Sequence, residues 1–286
     1  MYKILVTGAS GFVGKSLLDR DQNQFHFYSI TERLENLSES DIFDSPVVIH
    51  LAGLAHNRNS VDNDFYEVNT KLTAKLLKIC AKRGLKRFIY LSSIGVNGFR
   101  TENSIFNEAS IPEPYNAYTN SKYKAEEIIK EMSCKLGIEY VIIRPPLIYG
   151  HNAPGNLGQL CSVLKKNIPL PLGNIFNKRN FIALPNLIDF IINCINHPNA
   201  ANQTFLISDE ESYSTSEFIR ILKIYLSSRS VLLPVPNIFL ERMLQLISKG
   251  YLYNSLCYDL LIDSSKARSL LNWKQRTTMK KFYLNI

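Results

Sequence analysis

Two groups of residues in this 286-residue chain have the types and the spacing to do chemistry. The first is Thr7-Gly8-Ala9-Ser10-Gly11-Phe12-Val13-Gly14. Glycines at 8, 11 and 14 lack a Cβ, so the backbone can turn sharply and approach a dinucleotide pyrophosphate closely. The N–H groups of a helix opening at Phe12 then face the phosphates. The second is Tyr118-Thr119-Asn120-Ser121-Lys122, which sets a phenol and an ammonium four residues apart on one helix face. A free phenol has a pKa near 10, so about one in a thousand is ionised at neutral pH. Lys122 and an oxidised nicotinamide ring are two positive charges that favour the phenolate. Ser93 can hydrogen-bond the reacting oxygen. Each group also has a plainer reading: a tight turn with no ligand, and a surface tyrosine beside a solvated lysine. Together in one chain they point to hydride transfer assisted by a tyrosine acid/base.

The surrounding elements must bring these groups together. Tyr2 to Val6 is an apolar run that stops at Thr7-Gly8 and reads as a buried strand. Phe12 to Leu18 has helical spacing. Phe25 to Ile30 reads as a second strand, and Val47 to Leu51 as another, closed by Ala52-Gly53. About twenty residues separate these two strands, so any strand between them is expected as a stub near Asp41-Ile42-Phe43. Tyr66 to Ala81 is an amphipathic helix ended by Gly84. Arg87 to Leu91 is a strand with Ser92-Ser93 at its carboxyl end. Tyr115 to Lys135 is a long helix, and Tyr140 to Arg144 a strand halted by Pro145-Pro146.

Strands and helices alternate through residue 150, the signature of an α/β fold with a doubly wound parallel sheet of Rossmann type. Ligands in such sheets lie beyond the carboxyl ends of the strands, where Gly8, Gly53, Ser93 and Pro146 fall. After residue 150 the chain is richer in Gly, Pro and Asn. A strand is expected at Phe181 to Leu184, a helix at Leu187 to Ile195, a strand at Thr204 to Ser208 and a helix at Thr215 to Leu226. Residues 1–150, with a return near 181–207, are read as a dinucleotide-binding domain. Residues 151–180 and 208–286 are read as a smaller, partly interleaved substrate lobe.

The usual reader of a ribose is an acid at the end of the second strand. Here the segment is Ser29-Ile30-Thr31-Glu32-Arg33. Glu32 can accept from a 2′-hydroxyl, whereas Thr31 and Arg33 can hold a 2′-phosphate, so NAD and NADP both stay open.

A hydrophobic share of 45% and a charged share of 20% describe an ordinary globular chain. The formal charge of +8 comes from scattered residues, not a dense Lys/Arg block, so no nucleic-acid partner is expected. The five cysteines form no Cys-x-x-Cys pair, which argues against a disulfide framework or zinc site and for a reducing compartment. His56, His151 and His197 show no ligand spacing, so no metal is expected. No apolar leader and no apolar run of about 20 residues is present, so no membrane partner and a cytoplasmic location are expected.

These residues resemble the extended short-chain dehydrogenase/reductases, in the nucleotide-sugar epimerase/dehydratase branch. Thr7 to Gly14 matches the opening turn, and His50-Leu51-Ala52-Gly53 the loop beside the cofactor. Asn69 matches an asparagine of the next helix, Ser93 the family serine, and Tyr118 with Lys122 the acid/base pair. Arg144-Pro145-Pro146-Leu147-Ile148-Tyr149-Gly150 matches the segment flanking the nicotinamide. Arg179-Asn180-Phe181 is similar to an Arg-Asp-Tyr/Phe element whose arginine meets a nucleotide diphosphate, and Asn156 lies where substrate-facing asparagines occur.

The resemblance implies a dinucleotide held by Gly8, Ser10, Gly11, Phe12, Val13, Gly14, Thr31, Arg33, Leu51, Ala52, Gly53, Asn69, Tyr118, Lys122, Pro145 and Leu147. It implies a nucleotide-diphosphate sugar met by Ser93, Asn156 and Arg179, and a homodimer through helices near 66–82 and 115–135. Val96-Asn97-Gly98, where many members have Val-Tyr-Gly, is similar to 4-epimerases and 4-keto reductases of bacterial surface-polysaccharide pathways. Ser93-Ile94-Gly95 lacks the Thr-Asp-Glu of the dehydratases, so water elimination is disfavoured. Epimerase and reductase use the same trio and are not separated by these motifs. A non-catalytic dinucleotide-binding sensor or assembly protein is the rival from another class.

Overall fold

The computed structural model describes residues 2–20, 24–30, 34–55, 62–102, 104–246 and 250–285. Strand β1 (Tyr2–Thr7) leads through helix α1 (Phe12–Leu18) to β2 (Phe25–Ser29), then β3 (Val47–His50). Helix α2 (Asp62–Tyr66), a π turn (Glu67–Lys71) and helix α3 (Leu72–Lys82) follow as one run. Next come β4 (Arg87–Leu91), α4 (Ala117–Leu136) and β5 (Glu139–Arg144). Asn116 caps α4 by accepting from Thr119 N at 2.8 Å, and Gly137 ends it in the left-handed region at φ +66.

These strands, with β9 (Gln203–Leu206), form one parallel sheet in the order β2-β1-β3-β4-β5-β9. The chain leaves β1 for β2 on one side and returns to β3 on the other. The carboxyl ends of β1 and β3 are therefore the switch point, where a crevice for a ligand opens. Alternate residues of each strand feed two cores. Ile4, Val6, Ile49, Ile89, Val141 and Ile143 pack on one face with Leu17. Leu5, Val48, Phe88, Tyr90 and Ile142 pack on the other with Leu76, Leu77, Ala125 and Ile129. Burial of each such side chain stabilises by about 1.5–3 kcal/mol.

The expected stub near 41–43 is not a strand. A 3-10 turn (Glu39–Asp41) takes its place, and Ile42 drops into the second core. The segment is too short for a strand and a crossover, so it buries one side chain and moves on.

The remainder builds a second lobe. Two-residue strands β6 (Ile148–Tyr149) and β8 (Ile182–Ala183) pair in parallel. Strands β7 (Arg179–Asn180) and β10 (Ser212–Tyr213) pair antiparallel. The strand expected at Phe181 to Leu184 is observed as the shorter β8, with β7 just before it in a separate ladder. Helix α5 is Gly155–Lys165, and α6 (Leu184–Asn193) starts three residues before the expected helix. Helix α7 (Thr215–Tyr225) is capped by Ser214. Helices α8 (Asn237–Leu246), α9 (Tyr251–Cys257), α10 (Ser265–Leu271) and α11 (Met279–Leu284) complete the chain.

Asp209 is the polar hub of this lobe. It accepts from Tyr149 Oη at 2.7 Å, Ala183 N at 3.0 Å and Asn186 Nδ2 at 2.6 Å. Ala267, Leu271 and Trp273 return to the first core, beneath α6. Among the described residues no helix is long and apolar enough to cross a membrane.

Candidate active site

The glycine turn opens at the end of β1. Gly8 sits at φ +69, where a side chain is strained, and a Cβ there would lie 2.6 Å from Ala52 N. A Cβ on Gly14 would overlap the Gly8 carbonyl and lie 2.7 Å from Ala9 Cα. Gly11 N donates to Gly8 O at 3.0 Å, and Gly11 caps α1 without offering a side chain. The first N–H groups of α1 therefore have no capping side chain, and Ser10 and Gly11 are exposed beside them. That is a cradle suited to phosphate oxygens. Phe12 and Val13 turn their side chains inward, Phe12 touching both the first core and that of the second lobe. Only their backbone is left to face a ligand.

The β3 loop is fixed against this turn by a proton-ordered chain. Leu51 N donates to Thr7 O and Ala52 N to Thr7 Oγ1, each at 3.2 Å. Thr7 Oγ1 lies 2.6 Å from His50 Nδ1, and His50 Nε2 lies 2.8 Å from Thr73 Oγ1. Thr73 Oγ1 donates to Asn69 O at 2.7 Å. Its proton is thus used, so Nε2 must donate to it and Nδ1 must accept from Thr7. Burial, aided by nearby Lys122, holds the His50 pKa down to about 3, so the ring stays neutral. Asn69 is buried at the π turn. It accepts from Leu54 N at 2.7 Å and donates to Leu54 O at 3.1 Å and Ser121 Oγ at 3.0 Å. Its side chain is engaged in holding the loop.

The trio converges on this loop. Ser93 Oγ accepts from Gly95 N at 3.1 Å, and the Ser93 side chain stands close enough to the Tyr118 phenol to pull its pKa down. Lys122 Nζ donates to Leu91 O at 3.0 Å and lies 4.7 Å from the centre of the Tyr90 ring. A Cβ on Gly53 would come within 3.1 Å of Lys122 Nζ, so the ammonium lies against that glycine. Phe65 of α2 packs edge-on to the Tyr118 ring, with centroids 6.2 Å apart.

In the protein alone, burial raises the Tyr118 pKa to about 12, Ser93 opposes the rise, and Tyr115 adds to it. Burial also pulls Lys122 down to about 8, against the pull of Glu126. Desolvation disfavours whichever form is charged, and on this phenol it outweighs the opposing pull of Ser93.

On the substrate side, Arg179 donates through Nη1 to Tyr258 O at 2.7 Å. Burial lowers its pKa to about 10, opposed by Tyr115 and Asp259. Tyr115, whose neighbour across the ring edge is Phe99, lies one turn before Tyr118 on the same helix approach. Asn180, where acid is common, spans the lobe instead: it donates to Asp209 O and Glu211 O and accepts from Ile262 N. Pro145 O accepts from Ile94 N at 2.9 Å, and Leu147 is partly exposed beyond it. Asn156 stands exposed in the first turn of α5. Thr31, Glu32, Arg33 and His56 lie outside the described residues.

Sequence reasoning missed Glu126. It follows Tyr118 and Lys122 at the same four-residue spacing, which was the available signal.

Residues 4–208 match the family described as the NAD dependent epimerase/dehydratase family. The chain is 34% identical to a UDP-glucose 4-epimerase of Vibrio cholerae, over 97% of this chain and 92% of that protein. Its fold is similar to that of a Bacillus cereus UDP-glucuronic acid 4-epimerase in complex with NAD. The TM-score is 0.81 at 20% identity, covering 98% of this chain and 96% of that one. RMD of Pseudomonas aeruginosa complexed with NADPH superposes with a TM-score of 0.80 at 22% identity, over 98% of this chain and 96% of that one. The cradle, the convergent trio and these matches agree that the chain belongs to the NAD dependent epimerase/dehydratase family.

Proposed function

We propose that this protein moves hydride at C4 of a UDP-hexose and acts as a 4-epimerase. The observation that carries the reading is the convergence of the Ser93 side chain and the Tyr118 phenol beside Lys122, which lies against the Gly53 loop. The cradle of Gly8, Gly11 and Gly14 fits a dinucleotide pyrophosphate. A nicotinamide dinucleotide bound there supplies the hydride acceptor and, when oxidised, a positive charge beside the phenol. Ser93 steadies the sugar O4, and Tyr118 takes the O4 proton as the C4 hydrogen departs as hydride. After the 4-keto sugar turns over, Tyr118 returns the proton while hydride adds to the other face. Arg179 meets the diphosphate through charge-assisted hydrogen bonds. The 34% identical relative named for UDP-glucose supports a UDP-sugar.

A 4-keto reductase is the second reading, favoured by one observation. A phenol held at about 12 is protonated at neutral pH, ready to donate to a carbonyl. We propose surface-polysaccharide assembly as the setting. The dinucleotide-binding half is residues 1–150 with 181–207, and the rest forms the substrate lobe. A homodimer through α3 and α4 is part of the reading.

The test incubates purified protein with UDP-glucose, UDP-galactose, their N-acetyl forms and a UDP-4-keto-6-deoxy sugar, with NAD or NADPH. Interconversion of C4 epimers without net change in nicotinamide absorbance is expected. Net NADPH consumption with the keto sugar alone would select the reductase. Dinucleotide binding without turnover of any sugar would overturn both.

A further inference from the structure

Beneath the trio lies a buried cluster that the reaction above does not use. Glu126 and Arg144 are fully buried and ion-paired, with Arg144 Nε donating to Glu126 Oε1 at 3.0 Å and Nη2 to Oε2 at 2.5 Å. Ser92 Oγ donates to Glu126 Oε1 at 2.5 Å. Arg144 Nη1 donates to Asn97 Oδ1 at 2.9 Å. The Nδ2 of Asn97 has no hydrogen-bond partner among the described residues, so this amide is engaged through its oxygen alone.

The four residues come from the three segments that carry the site. Glu126 shares a face of α4 with Tyr118 and Lys122. Ser92 immediately precedes Ser93, and Asn97 closes the turn that Ser93 begins. Arg144 ends β5 just before Pro145, whose carbonyl accepts from Ile94 of that same turn.

We propose that Glu126 is a positioning residue: through Ser92 and Arg144 it holds Ser93 in register with the Tyr118 face of α4. The inference rests on the proposed use of Ser93 and Tyr118. Removing two charges from water costs more than filling the same volume with well-packed apolar groups. What an ion pair adds is direction, since each carboxylate oxygen and each guanidinium N–H has a fixed partner. Here every one of those partners belongs to a segment of the site.

Glu126 also sits one turn beyond Lys122. The groups facing that ammonium are Glu126 and Tyr118 from α4, Tyr90 from β4 and His50 from β3. His50 is neutral, and burial with Glu126 and Tyr118 keeps the Tyr90 phenol protonated. Glu126 is the counter-charge that opposes the burial-driven fall of Lys122. Its loss lets Lys122 shed its proton at lower pH.

The experiment compares wild type, Glu126→Gln, Glu126→Asp and the double variant Glu126→Leu with Arg144→Met. Glu126→Gln should lower kcat at least tenfold, leave KM and dinucleotide Kd within threefold, and move the high-pH loss of kcat to lower pH. Glu126→Asp should recover part of kcat. The double variant should regain wild-type Tm yet stay slow, and its crystal structure should show Ser93 Oγ moved away from the Tyr118 phenol relative to wild type. If kcat recovers together with Tm, or if Ser93 keeps its wild-type place beside the phenol, the positioning role is overturned. The structural readout decides this even when wild type turns over no sugar, an outcome that would sink the proposed function alone.

Discussion

His50 and Asp209 are buried polar hubs in opposite halves of the molecule, and burial moves them in opposite directions. His50 passes a hydrogen-bond chain from Thr7 to Thr73, between the glycine turn and the helix that carries Asn69. Asp209 gathers Tyr149, Ala183 and Asn186, fastening the chain after β9 to β6, β8 and α6, and bonds to none of the trio. The difference extends outward. The first half closes its polar groups around the reacting side chains. The second leaves Phe176 at 78% and Leu246 at 85% exposure, with Ile238 and Phe239 open on α8.

The largest effect should come from the reacting phenol. Tyr118→Phe should cut kcat at least ~100-fold while dinucleotide affinity holds, as read by steady-state kinetics and fluorescence titration. Near-normal turnover would erase the contrast between the halves. Arg179→Ala tests the other side of the cleft. Loss of a charged hydrogen bond worth about 1.5–3 kcal/mol should raise KM roughly 10- to 100-fold, with kcat little changed. A fall in kcat with constant KM would place Arg179 with the chemistry. Gly14→Ala forces a Cβ into the Gly8 carbonyl and should lower stability by about 1–3 kcal/mol in a denaturant titration. It should also weaken dinucleotide binding.

A pH slope is the finest discriminator. The Asp209 pKa rises from 3.8 to about 6 on folding, chiefly through burial. The folded state therefore binds the extra proton between those values, and stability falls as pH rises across that window. His50 falls from 6.5 to about 3, so its contribution is lost as pH falls across that range. Asp209→Asn should leave the opposing His50 rise uncompensated, so stability should climb more steeply between pH 4 and 6 than in wild type, by on the order of 1 kcal/mol in urea unfolding. An unchanged slope would mean that Asp209 carries no such burial cost.

Local spacing made the chemistry legible. Three glycines after an apolar run and a tyrosine four residues before a lysine need no knowledge of distant partners. The parallel sheet followed from alternating strand and helix patterns, and its strands from apolar runs such as Val47 to Leu51. What escaped depends on pairings across the chain. Glu126 meets Arg144 18 positions on and Ser92 34 positions back, and no periodicity announces either. The stub near 41–43 failed because a short connection can bury a lone isoleucine without pairing.

The π turn at Glu67–Lys71 has a consequence for how this protein tolerates length changes. A helical residue advances the chain by about 100°. Deleting one residue inside that wide turn would restore the narrower ladder and swing α2 by about that angle while α3 kept its seat. Phe65 would rotate off Tyr118, and Asn69 would lose Leu54. The extra residue acts as an angular spacer, aiming one short helix at the phenol, and its removal would be felt there before anywhere else.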